Sequence, residues 1–520
     1  MLPNPKTLSF RLNRTISLEE LSEQIVLSGF KLEAVSSSKE QREFYDTFEW
    51  QAFGKRVAIV KQNKTLSLVD LNTGQQIASA PFAKNSSSFF ADALPPSIVK
   101  DELTSCSTLR AFSRLCMLDV ISFEYRILDD NKKTIATLTS ESLCLTEKKS
   151  QGAFLHRFAL SPLRGYEEDA AHVAQSLATL DEESTPLDFK EYFLLIMHEA
   201  EHHVRGYSAK IMFTLNPHAP IHASARQLLQ FTCSVMRMNE QGIIKDIDSE
   251  FLHDYRVAIR RTRSVMKQLK GVFDAGNTIY FLNLFRELGK RTNELRDRDV
   301  YLLRKESYFN YLPPFLQPSL QLFFRNIAAS RQPLHKQFFH YLSSSDYQSS
   351  LKEWELFINH EAPPDVEQAP NAFCSTKDVA VESIKKAWRK VIHHGRQISR
   401  ATTDEELHVL RIDCKKLRYL LEFFSSIFSS ETITPVIRQL KELQENLGDF
   451  VDFGVQLRFL QEELATKAEE KLLAASIGGL MTTLFQKQEA ARLKFHKTFS
   501  SFDHKETSQL FHDLLTCTLI

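Results

Sequence analysis

The feature that most constrains this chain is an internal duplication. The segments FLHDYRVAIRRTRSVMKQL and ELHVLRIDCKKLRYLLEFF place His253 on His408, Arg256 on Arg411, Arg260 on Lys415, Arg261 on Lys416 and Arg263 on Arg418, each pair 155 positions apart. The same offset, without a gap, carries Glu287-Leu288 onto Glu442-Leu443, Asp297 onto Asp452 and Val300 onto Val455. A sequence that repeats basic, apolar and acidic positions at a fixed interval folds twice into one arrangement. Two homologous halves are therefore expected, about 220–360 and 375–520, joined by a Pro-rich linker at 361–374 that contains EAPPDVEQAP. Beyond residue 220 Gly and Pro are otherwise sparse, and apolar residues recur at three- and four-residue spacing. Both halves should be helical bundles.

The matched segment has a physical character of its own. On a helix turning about 100° per residue, His253, Arg256, Arg260, Arg263 and Lys267 fall in one narrow sector. Tyr255, Ala258, Ile259, Thr262, Val265, Met266 and Leu269 occupy the opposite side, the face that a bundle buries. The second copy repeats the stripe with His408, Arg411, Lys415 and Arg418, with Glu422 where the first has Lys267. Arg261 and Lys416 flank the two stripes. Like charges four residues apart weaken a helix by roughly a few tenths of a kcal/mol per pair, and a solvated face ordinarily mixes signs. Here one acid, Asp254, stands among seven basic or histidine side chains between 253 and 270. Such a stripe suits an anion that neutralises it, with cations about 5–6 Å apart along the helix. Arginine grips phosphate with a two-pronged fork and lysine as a point charge. A solvated surface would account for one such stripe, but both copies keep the same spacing. Either histidine alone is more often a packing residue than a ligand, and Asp297 and Asp452 could equally pair with nearby arginines or cap a helix.

The first 200 residues read differently. SLEELSEQIVLSGF predicts a helix with Ser17 as N-cap and Glu20 at capping-box spacing. Strand patterns follow in KRVAIVKQ, in TLSLVDL and in SFEYRILDDNKKTIATLTS, where Asp129-Asp130-Asn131 marks a hairpin turn. PFAKNSSSFFADALPPS reads as an irregular connection, and helical patterning returns from Tyr166. The expected architecture is multidomain: an α+β domain at 1–210, then an all-α duplicated bundle at 220–520.

Composition sets limits on function. With 65 basic and 65 acidic residues the chain is no polycation, so an anion site must come from local clustering. The cysteines (Cys106, Cys116, Cys144, Cys233, Cys374, Cys414, Cys517) are odd in number and form no CxxC pair, which fits reduced thiols rather than a disulfide framework or a structural zinc site. No apolar run approaches the roughly 18 residues of a membrane span. The N-terminus is polar where a signal peptide is apolar. A cytoplasmic protein without membrane partners is expected.

The stripes, together with ELRDRDVYLL and LQENLGDFVDFGVQL, resemble the CHAD family, the conserved-histidine α-helical domain, over about 220–520. In the first half Thr292-Asn293 stands where that family has Leu-Gly. The resemblance implies two pseudo-symmetric four-helix bundles around a basic cleft. It also implies binding of inorganic polyphosphate, with targeting to polyphosphate granules and no catalysis or cofactor. The site residues it implies are His253, Arg256, Arg260, Arg261, Arg263 and Lys267, with His408, Arg411, Lys415, Lys416 and Arg418. REFYDTFEWQAFGKRVAIVK, FEYRILDDNKKTIATL, FALSPLRGY and VRGYSAKI resemble landmarks of the CYTH family, a strand-rich tunnel that hydrolyses triphosphates with a divalent metal. That chemistry needs a Glu-x-Glu-x-Lys strand, and the matching stretch, Ser9-Phe10-Arg11-Leu12-Asn13, lacks both carboxylates. The paired arginines of a later strand fall on Ile59 and Lys61. The resemblance thus implies a degenerate, metal-free CYTH-like domain that offers a surface to a protein partner. A metal-dependent triphosphatase is the alternative.

Two further readings compete. His198-Glu199-Ala200-Glu201-His202 satisfies HExxH, the zinc-protease spacing, which puts two histidines on one helical face. Arg205 stands where an extended metzincin motif has Gly. Nucleic-acid binding is disfavoured because the stripes lack interleaved aromatics for base stacking.

Overall fold

Alternating apolar and polar residues in the N-terminal sequence become an antiparallel sheet in the computed structural model, which describes residues 7–83, 85–360, 365–399, 402–466 and 470–516. Linker residues 361–364 and Cys517 lie outside the described residues. The chain divides into two compact units, Met1–Tyr207 and Ser208–Ile520.

The first unit is α+β. Its strands are β1 (Leu8–Leu12), β2 (Lys31–Asp46), β3 (Val57–Gln62), β4 (Thr65–Asp70), β5 (Gln76–Pro81), β6 (Ser88–Phe89), β7 (Phe112–Leu128), β8 (Thr134–Leu145), β9 (Leu155–Pro162) and β10 (Thr185–Pro186). They hydrogen-bond in the order β10-β1-β9-β8-β7-β2-β3-β4-β5, with β6 on β7. This antiparallel sheet with flanking helices fits a CYTH-like fold. Its helices are α1 (Leu18–Leu27), α2 (Gln51–Gly54), α3 (Ile98–Cys106), α4 (Glu167–Ala178) and α5 (Phe189–Glu199). Helix α1 opens with the expected capping box, Ser17 and Glu20 each bonding the other's backbone. The β7–β8 hairpin turns at Asp129, whose carboxylate accepts from the amides of Asn131 and Lys133 at 2.8 Å.

On one face of this sheet α5 buries Tyr192, Phe193, Ile196 and Met197 against Phe44, Leu118, Val120 and Leu143. Charged residues lie beneath it. Glu141 is bonded by Arg42 (2.8 Å) and Arg157 (2.6 Å), and Arg42 also donates to the Tyr192 hydroxyl at 2.7 Å. Burial alone would raise the Glu141 carboxyl, but the two guanidinium groups hold it at about 2. On the strands matched to CYTH landmarks, Ile59 is fully buried and Lys61 pairs with Glu43 at 2.6 Å. The HExxH spacing does not give a shared helical face. Helix α5 ends at Glu199, Glu201 takes a left-handed backbone (φ 58°), and His202 Nε2 contacts the Leu115 carbonyl oxygen at 2.8 Å. Among the described residues no group of three His, Cys, Asp or Glu side chains could hold a metal ion.

The second unit is all helical. Its first half holds α6 (Ile221–Ile244), α7 (Ser249–Gln268), α8 (Ala275–Arg291), α9 (Asn293–Leu303), α10 (Lys305–Asn310), α11 (Gln317–Leu342) and α12 (Ser345–Asn359). Its second half holds α13 (Thr376–Gln397), α14 (Asp404–Phe423), α15 (Ser430–Thr466), α16 (Lys471–Phe502) and α17 (Lys505–Thr516). The offset reappears in the element boundaries. Helix α7 starts at 249 and ends at 268, α14 starts at 404 and ends at 423, and both intervals are 155. Helix α6 likewise starts 155 residues before α13. The main departure is that α8, α9 and α10 are separate helices where the second half runs one helix, α15. No described helix is long and apolar enough to cross a membrane.

Candidate functional site

Both basic stripes form as helices because their ends are capped and their inner faces are apolar. Asp248 accepts from the amides of Glu250 and Phe251 at the start of α7, and Thr403 makes a capping box with Glu406 at the start of α14. Tyr255, Ala258, Ile259, Thr262, Val265, Met266 and Leu269 are all buried, as the periodicity requires. In α14 the same is true of Leu407, Leu410, Cys414, Leu417 and Leu421. This packing turns the opposite faces of the two helices toward a shared cleft.

A cavity of about 300 Å³ takes His253, Arg260 and Arg261 from α7 and Arg411, Lys415 and Arg418 from α14. A second cavity, about 210 Å³, continues from Arg260 along Arg256 and Arg263 and adds Arg286 and Lys290 from α8. Those two α8 residues escaped the sequence reading. A signal for one existed, since Arg286 plus the 155 offset falls on Lys441, also basic. Two of the sequence-derived residues, Lys267 and Lys416, line a different cavity, and His408 is exposed and lines neither part of the cleft.

The side chains in the cleft are held in distinct ways. Arg256 donates to the Gly289 carbonyl (3.2 Å), to Thr292 Oγ1 and to Asn293 Oδ1 (2.9 Å), all neutral acceptors. Burial, then the neighbouring Arg260, pushes its guanidinium down to about 10. Arg263 is lowered by burial and by Arg286. Lys415 is pushed down to about 8 by burial and by Arg411 and Arg260. His253 Nδ1 lies 3.0 Å from Arg296 Nη2; since arginine can only donate, Nδ1 accepts and Nε2 carries the proton of a neutral ring. His408 is also lowered, by burial and by Arg411. Acids enter mainly from the second half. Asp452 pairs with Arg411 (2.9 Å), and Glu422 pairs with Arg261 (3.2 Å) and Arg418 (2.6 Å). Asp297, the counterpart of Asp452, is raised by burial.

Two donors in the cleft are unsatisfied. The Nε groups of Arg261 and Arg411 are buried and have no hydrogen-bond partner among the described residues.

The family model of the CHAD domain matches residues 227–461. Among solved structures, the CHAD domain from the plant Ricinus communis is 20% identical, with 60% of this chain and 99% of that one covered and a TM-score of 0.49. PptA from Streptomyces chartreusis is 15% identical, with 54% and 100% covered and a TM-score of 0.42. Neither likeness carries a residue role to this chain. No curated protein matches it.

Proposed function

The chain carries a CHAD domain, residues 227–461, and from that premise we propose that its basic cleft binds inorganic polyphosphate. The observation that carries the reading is the cavity that brings Arg260 and Arg261 of α7 to Arg411, Lys415 and Arg418 of α14. A linear polyanion laid between the helices would meet cations from both sides, at the roughly 5–6 Å interval that one helical turn sets. Its charge would favour the protonated forms of Arg256 and Lys415, which burial first and neighbouring cations second disfavour. Tyr419 and the His253 imidazole are the aromatic rings among the lining residues of that cavity. A nucleic acid, which gains affinity by stacking bases on aromatic rings, would find little to stack on. Bringing the chain to polyphosphate granules is the cellular role this reading implies.

Fluorescence anisotropy with end-labelled polyphosphate of graded length tests it. Affinity should rise with length until both stripes are engaged, and should fall steeply with salt as counterions are released. Single-stranded RNA of matched charge should compete poorly. Equal affinity for short and long chains, or displacement by RNA at equal concentration, would sink the reading.

A further inference from the structure

Lys267 and Lys416, the two cations that do not face the cleft, line a separate cavity of about 640 Å³. Its walls are α13, α14 and the C-terminal end of α7. Subtracting or adding the offset of 155 converts these walls into α6, α7 and the C-terminal end of α14, the corresponding place in the first half. There the chain fills the space itself. The carbonyl of Ala209 accepts from Arg261 of α7, the Phe213 ring meets Phe231 of α6 edge-on at 5.7 Å, and the Leu215 amide donates to Ser426 Oγ, beyond α14, at 3.0 Å. Leu215 is buried, and residues 209–215 carry no helix or strand. An irregular run of chain therefore lies across the first-half groove, with one anchor on each wall.

The second-half groove has the equivalent walls, and among the described residues no such run crosses it. The counterparts of Arg261 and Phe231 are Lys416 and Lys386, and both line the cavity. By register its own filling segment would be 364–370, whose first residue is outside the described part. Residues 365–369 instead curl into a turn, with the amides of Gln368 and Ala369 bonded to the Asp365 carbonyl at 3.1 and 2.8 Å and Val366 largely exposed. Only Asn371 and Cys374 of that linker reach the wall.

The chemistry of the groove has changed with its occupant. Where the first half offers Phe231, Val235 and Ala258, the second offers Lys386, Lys390 and Asp413. Asp413 is buried and is consumed internally, by Lys390 at 3.1 Å and Lys416 at 3.0 Å. Asp378 and Glu382 also line the wall, but among the described residues neither they nor any other carboxylate pairs with Lys267, Lys270 or Lys386, and all three lysines are exposed. Leu269 and Leu420 supply an apolar floor. We propose that this cavity is a docking groove for an extended acidic peptide segment of a partner protein, laid where the first half lays residues 209–215. The proposal is independent of polyphosphate binding, because the groove and the cleft share none of their cations.

The test uses the full chain and a fluorescein-labelled peptide of about twelve residues, alternating Glu-Asp pairs with single Val residues. A bromoacetyl version of the same peptide reads out position, since Cys374 is exposed on the cavity wall. Anisotropy should show saturable binding that the charge reversal K270E/K386E weakens by about tenfold or more. R260A/R418A should change it by less than about twofold. Mass spectrometry should place the alkylation on Cys374, and K270E/K386E should abolish it. Both lysines are exposed, and circular dichroism would verify that the double variant is folded. No binding, binding indifferent to K270E/K386E, or alkylation elsewhere would overturn the proposal. So would loss in R260A/R418A together with displacement by polyphosphate, which would put the peptide in the cleft.

Discussion

Arg256 and Arg411 occupy equivalent positions in the two halves of the helical unit, yet their guanidinium groups have different partners. Arg256 reaches the gap between α8 and α9 and bonds only neutral oxygens there; Arg411 meets the carboxylate of Asp452 on an unbroken α15. The difference begins in two residues. Thr292-Asn293 of the first half stands opposite Leu447-Gly448 of the second. Thr292 Oγ1 turns back onto the Gly289 carbonyl at 2.7 Å, the local competition with helical bonding that Thr and Asn favour, and the helix stops. The Gly289 carbonyl at that end also accepts from Arg256. Further along, Lys267 of the first stripe is replaced by Glu422, which holds Arg418 and reaches across to Arg261. Duplication thus kept the cations while the halves diverged in what balances them. Among the described residues no carboxylate pairs with Arg260 or Arg263, whereas the second half screens its own charges.

The largest expected effect follows from that asymmetry. Replacing Arg256, Arg260 and Arg263 together by Ala should weaken long-chain polyphosphate binding by orders of magnitude, at about 1.5–3 kcal/mol per charge-assisted contact. Arg411, Lys415 and Arg418 replaced together should also weaken it strongly, but less, because Arg411 and Arg418 are already engaged by Asp452 and Glu422 and have less of their charge to give the anion. Titration calorimetry on both triple variants, with circular dichroism to verify folding, decides it. If both keep wild-type affinity the stripes are solvated surface; if the second loses more, the asymmetry is misread.

Much of this was legible in the sequence, because periodicity and duplication are properties of residue order. The ungapped offset anticipated two helices with identical boundaries, and the 3.6-residue pattern separated the buried from the basic face of α7 residue by residue. Ser17 and Glu20 announced the cap of α1 through local chemistry alone. What was not legible depends on chain folding back on itself. Arg286 and Lys290 join the cleft only because α8 packs beside α7. Lys416 aligns with the stripe in sequence yet turns to Asp413, a buried acid whose first-half counterpart is Ala258. The HExxH spacing failed for a similar reason, since a motif presumes a helix that α5 does not continue.

Next in size is a pH effect centred on Lys415 of the second half. Lys415 titrates at about 8 in the folded protein, below the usual lysine range, because burial and Arg411 disfavour its charge. A bound polyanion favours the charged form and raises that value, so binding should take up a proton between about pH 8 and 10. Affinity should therefore drop severalfold from pH 7 to 9.5, and Lys415→Arg should flatten the profile, since arginine stays charged. The stability sign is opposite. With the folded value below the unfolded one, the unfolded chain binds more protons in that window, and unliganded protein should gain stability as pH rises through it. A flat affinity profile in the wild type, or an unchanged one in Lys415→Arg, would remove Lys415 from the site.

A smaller effect should come from relieving the second half of its own acids. Asp452→Asn removes a carboxylate that competes with the ligand for Arg411, and Glu422→Gln does so for Arg418 and Arg261. Each should tighten binding a few-fold, on the order of the 0.2–1 kcal/mol of a partly exposed ion pair. Weakened binding in both would mean that the acids orient the cations rather than compete for them.

The smallest expected change in affinity lies at the helix break. Thr292→Val keeps the shape of a fully buried side chain but deletes the Oγ1 that accepts from Arg256 and bonds the Gly289 carbonyl. Arg256 keeps the Gly289 carbonyl and Asn293, and an incoming phosphate oxygen can take the place of the lost acceptor. Affinity should stay within about threefold of wild type, since one hydrogen bond to a charged group is exchanged for another. Stability of the unliganded protein should fall by about 1.5 kcal/mol, the cost of leaving a guanidinium donor without its acceptor. Saturating polyphosphate should recover most of that loss in a thermal melt. This separates two roles for Arg256. If it acts as a cap for α8, Thr292→Val destabilises the protein with and without ligand alike; if it is held in reserve for the anion, the ligand closes the gap between variant and wild type.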